Sequence, residues 1–384
     1  MRDRLTKRER GFSLLEMTVA LALGGIVLAG AVQIYIQGVQ ATWATDQRAE
    51  LQQDFRAASN VLTKDLSLAG AGLGNTAAIA LPSNVTPVYG CDQSGTCYIK
   101  GASVKYPLQG ATAYLYGLLP GYNDGPTLTG SSGPTDVTTV VYTDSNFYLD
   151  CYTAAITSTT TVTFTLPGST SPNCTAPGGN AGAQAVNNSA SGLTAGDLVL
   201  FTFGLNTVVA EVTTAPTGTG LTTFASTDVL KMNQAAAVAN SLASMYVAPS
   251  GSVTGYATRL FVITYYIDNS TSTPRLMQQV SGHTPVPVAE NVVFMKFTYD
   301  LFNDATDSPA IACSNPGGSP DGCLVSGASA GLLPNQITKI NIQNMAMDST
   351  LMGSQFGLGN GYQRMDLQTS VCARNLTYIN NYPN

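Results

Sequence analysis

The chain has 384 residues, 17 Lys+Arg against 23 Asp+Glu, a net charge of −6 and a single histidine, His283. Only 10% of it is charged, against roughly 25% in an average soluble domain, yet 44% is hydrophobic, and the difference is filled by Thr, Ser, Asn, Gln and 38 Gly. This excludes a disordered tail, argues against wrapping a nucleic-acid backbone, rules out a multi-histidine metal site and disfavours a histidine-based triad.

The charge is unevenly placed. Residues 1–11 hold Arg2, Arg4, Lys7, Arg8 and Arg10 against Asp3 and Glu9, a net of +3 that leaves −9 for the rest. From Phe12 to Thr45 the one charge is Glu16. Residues 12–32 supply the run of about 20 apolar residues that crosses a bilayer as a helix, and the basic flank predicts a cytoplasmic N-terminus with the bulk of the chain outside. A secretory signal peptide cut near Ala29-Gly30-Ala31 and a plain uncleaved anchor are the simpler readings. Neither accounts for Glu16, because a carboxylate inside an apolar span is costly and usually functional.

The run Arg10-Gly11-Phe12-Ser13-Leu14-Leu15-Glu16 resembles the class III signal of type IV pilins and type II secretion pseudopilins. The resemblance implies cleavage between Gly11 and Phe12 by a membrane prepilin peptidase and N-methylation of Phe12, and it makes Glu16 the fifth mature residue. In a bundle of such helices an unpaired carboxylate in a low dielectric needs a cation. The freed α-amine of a neighbour's Phe12 would supply it and set the axial register of the filament.

Past Thr45, Leu51, Phe55, Ala58, Leu62 and Leu66 recur every three or four residues among charged ones, which predicts an amphipathic helix with one apolar stripe. With no proline before Pro82, one helix is predicted from about 12 to about 67, near 80 Å at 1.5 Å per residue. Gly70, Gly72 and Gly74 then read as helix termination and a turn; they lack the strand-to-helix context of a dinucleotide loop.

The remainder reads as strands: 136–142, 157–166, 196–203 with 207–212, 260–267 with 275–280, 292–299 and 337–345. Polar loops are expected at 76–135, 167–192, 214–225 and 303–334. Several blocks resemble PilW-like minor pilins: Asp65–Gly70, Gly196-Asp197-Leu-Val-Leu, Tyr265-Tyr266-Ile267 with Pro274-Arg275-Leu276, residues 288–300, and Val371–Asn375. The resemblance implies an α+β, pilin-like fold, with a long N-terminal helix packed on antiparallel β-sheet and an enlarged β-rich head. The organisation expected is a leader over 1–11, a transmembrane half-helix over 12–35, an amphipathic half over 36–69 and a head over 70–384. The lengths of loops 76–135 and 303–334 depart from the pattern.

Seven cysteines follow the span, where an oxidising compartment favours disulfides. Sequence neighbours pair as Cys91–Cys97, Cys151–Cys174 and Cys313–Cys323, without fixing the connectivity; Cys372 is left over and reads as a buried thiol in the last strand. No CxxC is present, so zinc is disfavoured. His283 reads as a loop residue. Asp300, Asn303, Asp304 and Asp307 read as an acidic loop more readily than as a Ca²⁺ site, and Trp43 as an interfacial or helix-packing residue. No catalytic constellation or cofactor motif stands out.

The reading is therefore a structural minor pilin, not an enzyme and without a cofactor. It would be held in the inner membrane before joining a pilus, with other minor and major pilins and the prepilin peptidase as partners and no nucleic acid. Gly24, Gly25 and Gly30 would let apolar helices approach closely. The alternatives are a J-type minor pseudopilin of type II secretion and, in another class, a membrane-anchored adhesin or binding module.

Overall fold

A computed structural model describes residues 11–74, 78–128, 133–246, 253–303, 308–313, 333–352 and 361–376. By its internal contacts the chain divides into two units, residues 1–53 with 349–363, and residues 54–348 with 364–384.

The first element is α1 (Leu14–Ser67), a single helix of 54 residues. Its inner part, to residue 38, is exposed at every position, and it is long and apolar enough to cross a membrane. Thr18, Thr42 and Thr45 each return their hydroxyl to a carbonyl three or four residues back, 2.9 Å away, so these side chains do not need water as a partner. In the outer part Phe55, Ala58, Leu62 and Leu66 are buried, the stripe read from the sequence.

The helix ends where expected. Gly70 and Gly72 both have φ near +80°, conformations that cost a residue with a Cβ. The turn they form joins the sheet: Gly70 N–H donates to Val141 O and Thr143 N–H to Ala71 O, both at 2.9 Å. A Cβ on Gly72 would run into the side chain of Thr143.

Among the described residues the strands of the head pair antiparallel. In chain order its strands are β1 (Ala78–Ala80), β2 (Val88–Tyr89), β3 (Val104–Lys105), β4 (Leu108–Gln109), β5 (Thr112–Tyr116), β6 (Leu118–Gly121), β7 (Val137–Thr143), β8 (Thr153–Ser158), β9 (Thr161–Thr165), β10 (Leu198–Phe203) and β11 (Asn206–Glu211). There follow β12 (Leu221–Thr223), β13 (Thr254–Asp268), β14 (Arg275–Val280), β15 (Val286–Glu290), β16 (Val292–Asn303), β17 (Ser308–Cys313), β18 (Ile337–Met352) and β19 (Tyr362–Cys372).

The spine of the main sheet is β13. Along one edge it pairs β8 and then β7, and along the other β10 and then β14. The other layers are β1-β5-β4, the pair β2-β3 and a four-stranded sheet in the order β17-β16-β18-β19. Two apolar clusters can be described among these residues. One gathers Leu81, Tyr89, Leu115, Tyr116, Val141, Leu260 and Tyr266. The other is built round Phe201, which stacks on Phe164 and Phe203 and meets Phe224 edge-on.

The structure corrects several expectations. Residues 76–135 are not a structureless loop, because β1 to β6 lie within them. Residues 157–166 are not one strand. They turn at 159–160, where Thr160 N–H donates to Ser158 Oγ and the Thr157 and Thr161 hydroxyls bond each other, a serine/threonine turn with no Gly, Pro or Asn to announce it. The stretch 214–225 contains β12. Cys372 does lie in the final strand, but exposed rather than buried.

The contact that fixes the outer helix is polar. Asp65 is buried; it accepts from Tyr265 Oη at 2.6 Å, Gln278 Nε2 at 3.1 Å and Tyr142 Oη at 3.3 Å, which reach it from β13, β14 and β7. Burial, followed by the carboxylate beside it, pushes the Tyr265 hydroxyl well above its ordinary range, so it stays a donor. Replacing Asp65 with Ala strands these buried donors. We expect a loss of about 2–3 kcal/mol, read as a lower thermal midpoint, and a smaller loss for Tyr142→Phe.

Candidate functional site

Gly11, Phe12 and Ser13 precede the helix in irregular, fully exposed backbone, and Phe12 is 92% exposed. The Gly11–Phe12 peptide is thus accessible and outside the helical hydrogen-bond ladder, as a bond must be to enter a protease. Residues 1–10 lie outside the described residues.

Ser13 and Glu16 form a reciprocal cap. Glu16 N–H donates to Ser13 Oγ at 3.1 Å and Ser13 N–H to Glu16 Oε2 at 3.0 Å, satisfying two donors that a helix start otherwise leaves open. The negative side chain also sits favourably in the first turn against the helix dipole. The signal for this cap, Ser-Leu-Leu-Glu before an apolar run, is present in the sequence but overlaps a second pattern, the offset of Glu16 from Gly11, which hides it.

In the head, Cys91 joins Cys97 and Cys151 joins Cys174. The Cys313–Cys323 pairing falls outside the described residues. His283 sits in the turn after β14 with Nε2 2.9 Å from Asp197 Oδ1. Arg259 binds Asp144, stacks over Phe147 and lies 4.0 Å from Asp197. These contacts lock turns to strands. Asp300 and Asn303 belong to β16 rather than to a loop; the Asp300 carboxylate accepts from Asn341 Nδ2 at 2.9 Å and faces Lys339 at 3.7 Å. Asp304 and Asp307 lie outside the described residues. Among the described residues no group of three His, Cys, Asp or Glu is placed to hold a metal ion. The four-stranded sheet carries an open polar groove of about 800 Å³, where Tyr122, Lys296, Lys339, Asn341 and Gln368 meet. Trp43 is half-exposed on α1, beside Tyr35, Gly38 and Val39.

The motif is also recognisable by comparison. Residues 6–32 match the family described as the prokaryotic N-terminal methylation motif. Over 68 residues the chain is 38% identical to the pilin-like protein PilA3 of Thermus thermophilus. Together these show a pilin-like N-terminal methylation motif. The second match covers 18% of this chain and 29% of that relative, so the chain covers less than a third of the relative's length. No solved structure matches.

The two described disulfides close loops of different size, with sequence separations of 6 and 23. Loop-closure entropy makes the longer one the greater stabiliser, about 3 kcal/mol against about 2. Cys151→Ser with Cys174→Ser should therefore lower the thermal midpoint of the oxidised chain more than Cys91→Ser with Cys97→Ser.

Proposed function

We propose that the chain is a minor pilin, made as a prepilin, cut between Gly11 and Phe12, methylated on Phe12 and taken into a type IV pilus through α1. The observation that carries this reading is a fully exposed apolar helix whose first turn holds one carboxylate, directly behind an accessible Gly-Phe bond. Left alone in water, that helix would expose a large apolar surface; lipid first and neighbouring helices later remove it. The inner membrane and then a filament are the two places where this occurs, with the head outside the membrane in both.

Cleavage also changes the electrostatics of the helix start. It converts the Phe12 amide nitrogen into a cationic amine, which methylation leaves charged. In the chain described here Glu16 spends Oε2 on its own Ser13. Oε1 is then open to an amine from the next subunit, and the low dielectric between packed helices strengthens that pair. An uncut leader removes the partner, so only processed subunits would register. Prepilin peptidase and other minor and major pilins are the partners this reading requires.

The cap makes Glu16 separable into two roles. Glu16→Gln can keep the bond to Ser13 N–H while removing the charge; Glu16→Ala removes both. We expect both variants to be cleaved and neither to enter sheared filaments. Filament incorporation of Glu16→Gln at the wild-type level would show that capping, rather than charge pairing, is what Glu16 provides. The pathway itself is tested by mass and N-terminal sequencing of membrane-purified protein. A chain starting at N-methyl-Phe12 supports it, and one starting at Met1 or after Ala31 overturns it.

A further inference from the structure

Two acids in the head face each other without a cation between them. Glu211 closes β11 and is fully buried; Asp228 lies in the turn after β12 and is also buried. Glu211 accepts from Gln93 Nε2 at 2.7 Å through Oε1 and from Leu230 N–H at 3.2 Å through Oε2. Asp228 Oδ2 accepts from the Met232 and Asn233 N–H groups at 2.6 and 3.2 Å. Its other oxygen, Oδ1, is buried and receives no N–H or hydroxyl, and the Glu211 carboxyl lies against the Asp228 side chain.

Two carboxylates in contact repel, and burial removes the water that would screen them; one shared proton turns the contact into a hydrogen bond. The surroundings offer no other remedy. Lys231, on the same turn, is exposed. Asp92, in the disulfide loop that also carries Gln93, is held by Ser94, Thr96 and Tyr98. Asp197, on the β10 side, is matched by His283 and Arg259. Tyr106 is buried near Glu211 and its hydroxyl is pushed well up by burial, so it stays neutral. No ion pair among the described residues includes Glu211 or Asp228.

We propose that Glu211 and Asp228 share one proton and form a latch that clamps the 225–233 segment onto β11 in acid and neutral surroundings and releases it in alkaline ones. The segment matters to the head because Leu230 and Met232 belong to the first core and Leu230 O accepts from Val88 N–H at 3.0 Å. Asn233 secures the same place, exchanging bonds with the Glu211 backbone at 2.9 and 2.7 Å. Release would loosen one side of that core and leave the segment tethered at its ends. The latch does not depend on the pilin reading.

The sign follows from linkage. Burial first, and the neighbouring carboxylate second among the raising causes, push Glu211 up to about 8; burial also raises Asp228. The folded chain therefore holds a proton that the unfolded chain gives up near pH 4. The stabilisation is complete below the unfolded value and is lost as pH rises through the folded one.

The test uses the full chain in detergent micelles between pH 5 and pH 9. Asp228→Asn places an N–H where Oδ1 lacks a donor and keeps an oxygen for Met232 and Asn233, so its latch needs no shared proton. The wild-type thermal midpoint should fall with rising pH and that of the variant should fall less. Hydrogen exchange over 225–233, corrected for intrinsic rates, should speed up at alkaline pH in the wild type alone. Equal pH slopes in the two chains overturn the proposal. If the variant does not fold, infrared spectroscopy of the wild type decides. A protonated-carboxyl band present at pH 6 and lost by pH 9 supports the latch, and its absence at pH 6 overturns it.

Discussion

The carboxylate of Asp65 is the contact on which the architecture of the head turns. It is the one charge on the buried stripe of the outer helix, seven residues after Ala58 and so on the same face. Three strands that are distant in sequence send it a hydroxyl or an amide. Apolar packing alone would let a smooth helix slide or rotate over a sheet at little cost, since burial has no direction. A buried acid with three donors allows one rotation and one height. The adjacent glycine turn, stitched to β7, fixes the end of the same helix, so the helix and the main sheet are registered at two neighbouring points.

At the other end of α1 the same residue type is used differently. Glu16 is exposed and, among the described residues, its side chain bonds its own Ser13. One acid is spent on the fold of the head. The other is left for whatever surrounds the apolar segment, in keeping with an N-terminus that matches a methylation motif.

Much of this was legible from residues alone, and where it was not the reason is physical. The helix from 12 to 67 was readable because charge, hydropathy and the absence of proline all agree over more than fifty positions; it runs from Leu14 to Ser67. In the main sheet β7, β10, β11, β13 and β14 were readable because β-branched and aromatic residues cluster there. Residues 76–135 were not, because their strands are two to five residues long, too short for a periodicity to show. The 157–166 hairpin was missed because its turn is made by hydroxyls rather than by Gly or Pro. The cap at Ser13 was written in the sequence and overlooked. The Glu211–Asp228 pair could not have been read at all, since nothing in the spacing of two acids 17 positions apart tells which of them will meet out of water.

The placement of β13 has a consequence for how the head is made. This strand contacts four others directly, yet it begins at Thr254, after β7, β8 and β10 have already left the ribosome. Those strands cannot complete their pairing until it arrives, and non-local pairing of this kind is slow. The two described disulfides close entirely upstream of it, at Cys97 and Cys174. Oxidation can therefore precede the sheet and shorten the conformational search of the waiting strands. In such a chain a reducing environment would slow assembly as well as remove the stability that the two closed loops confer.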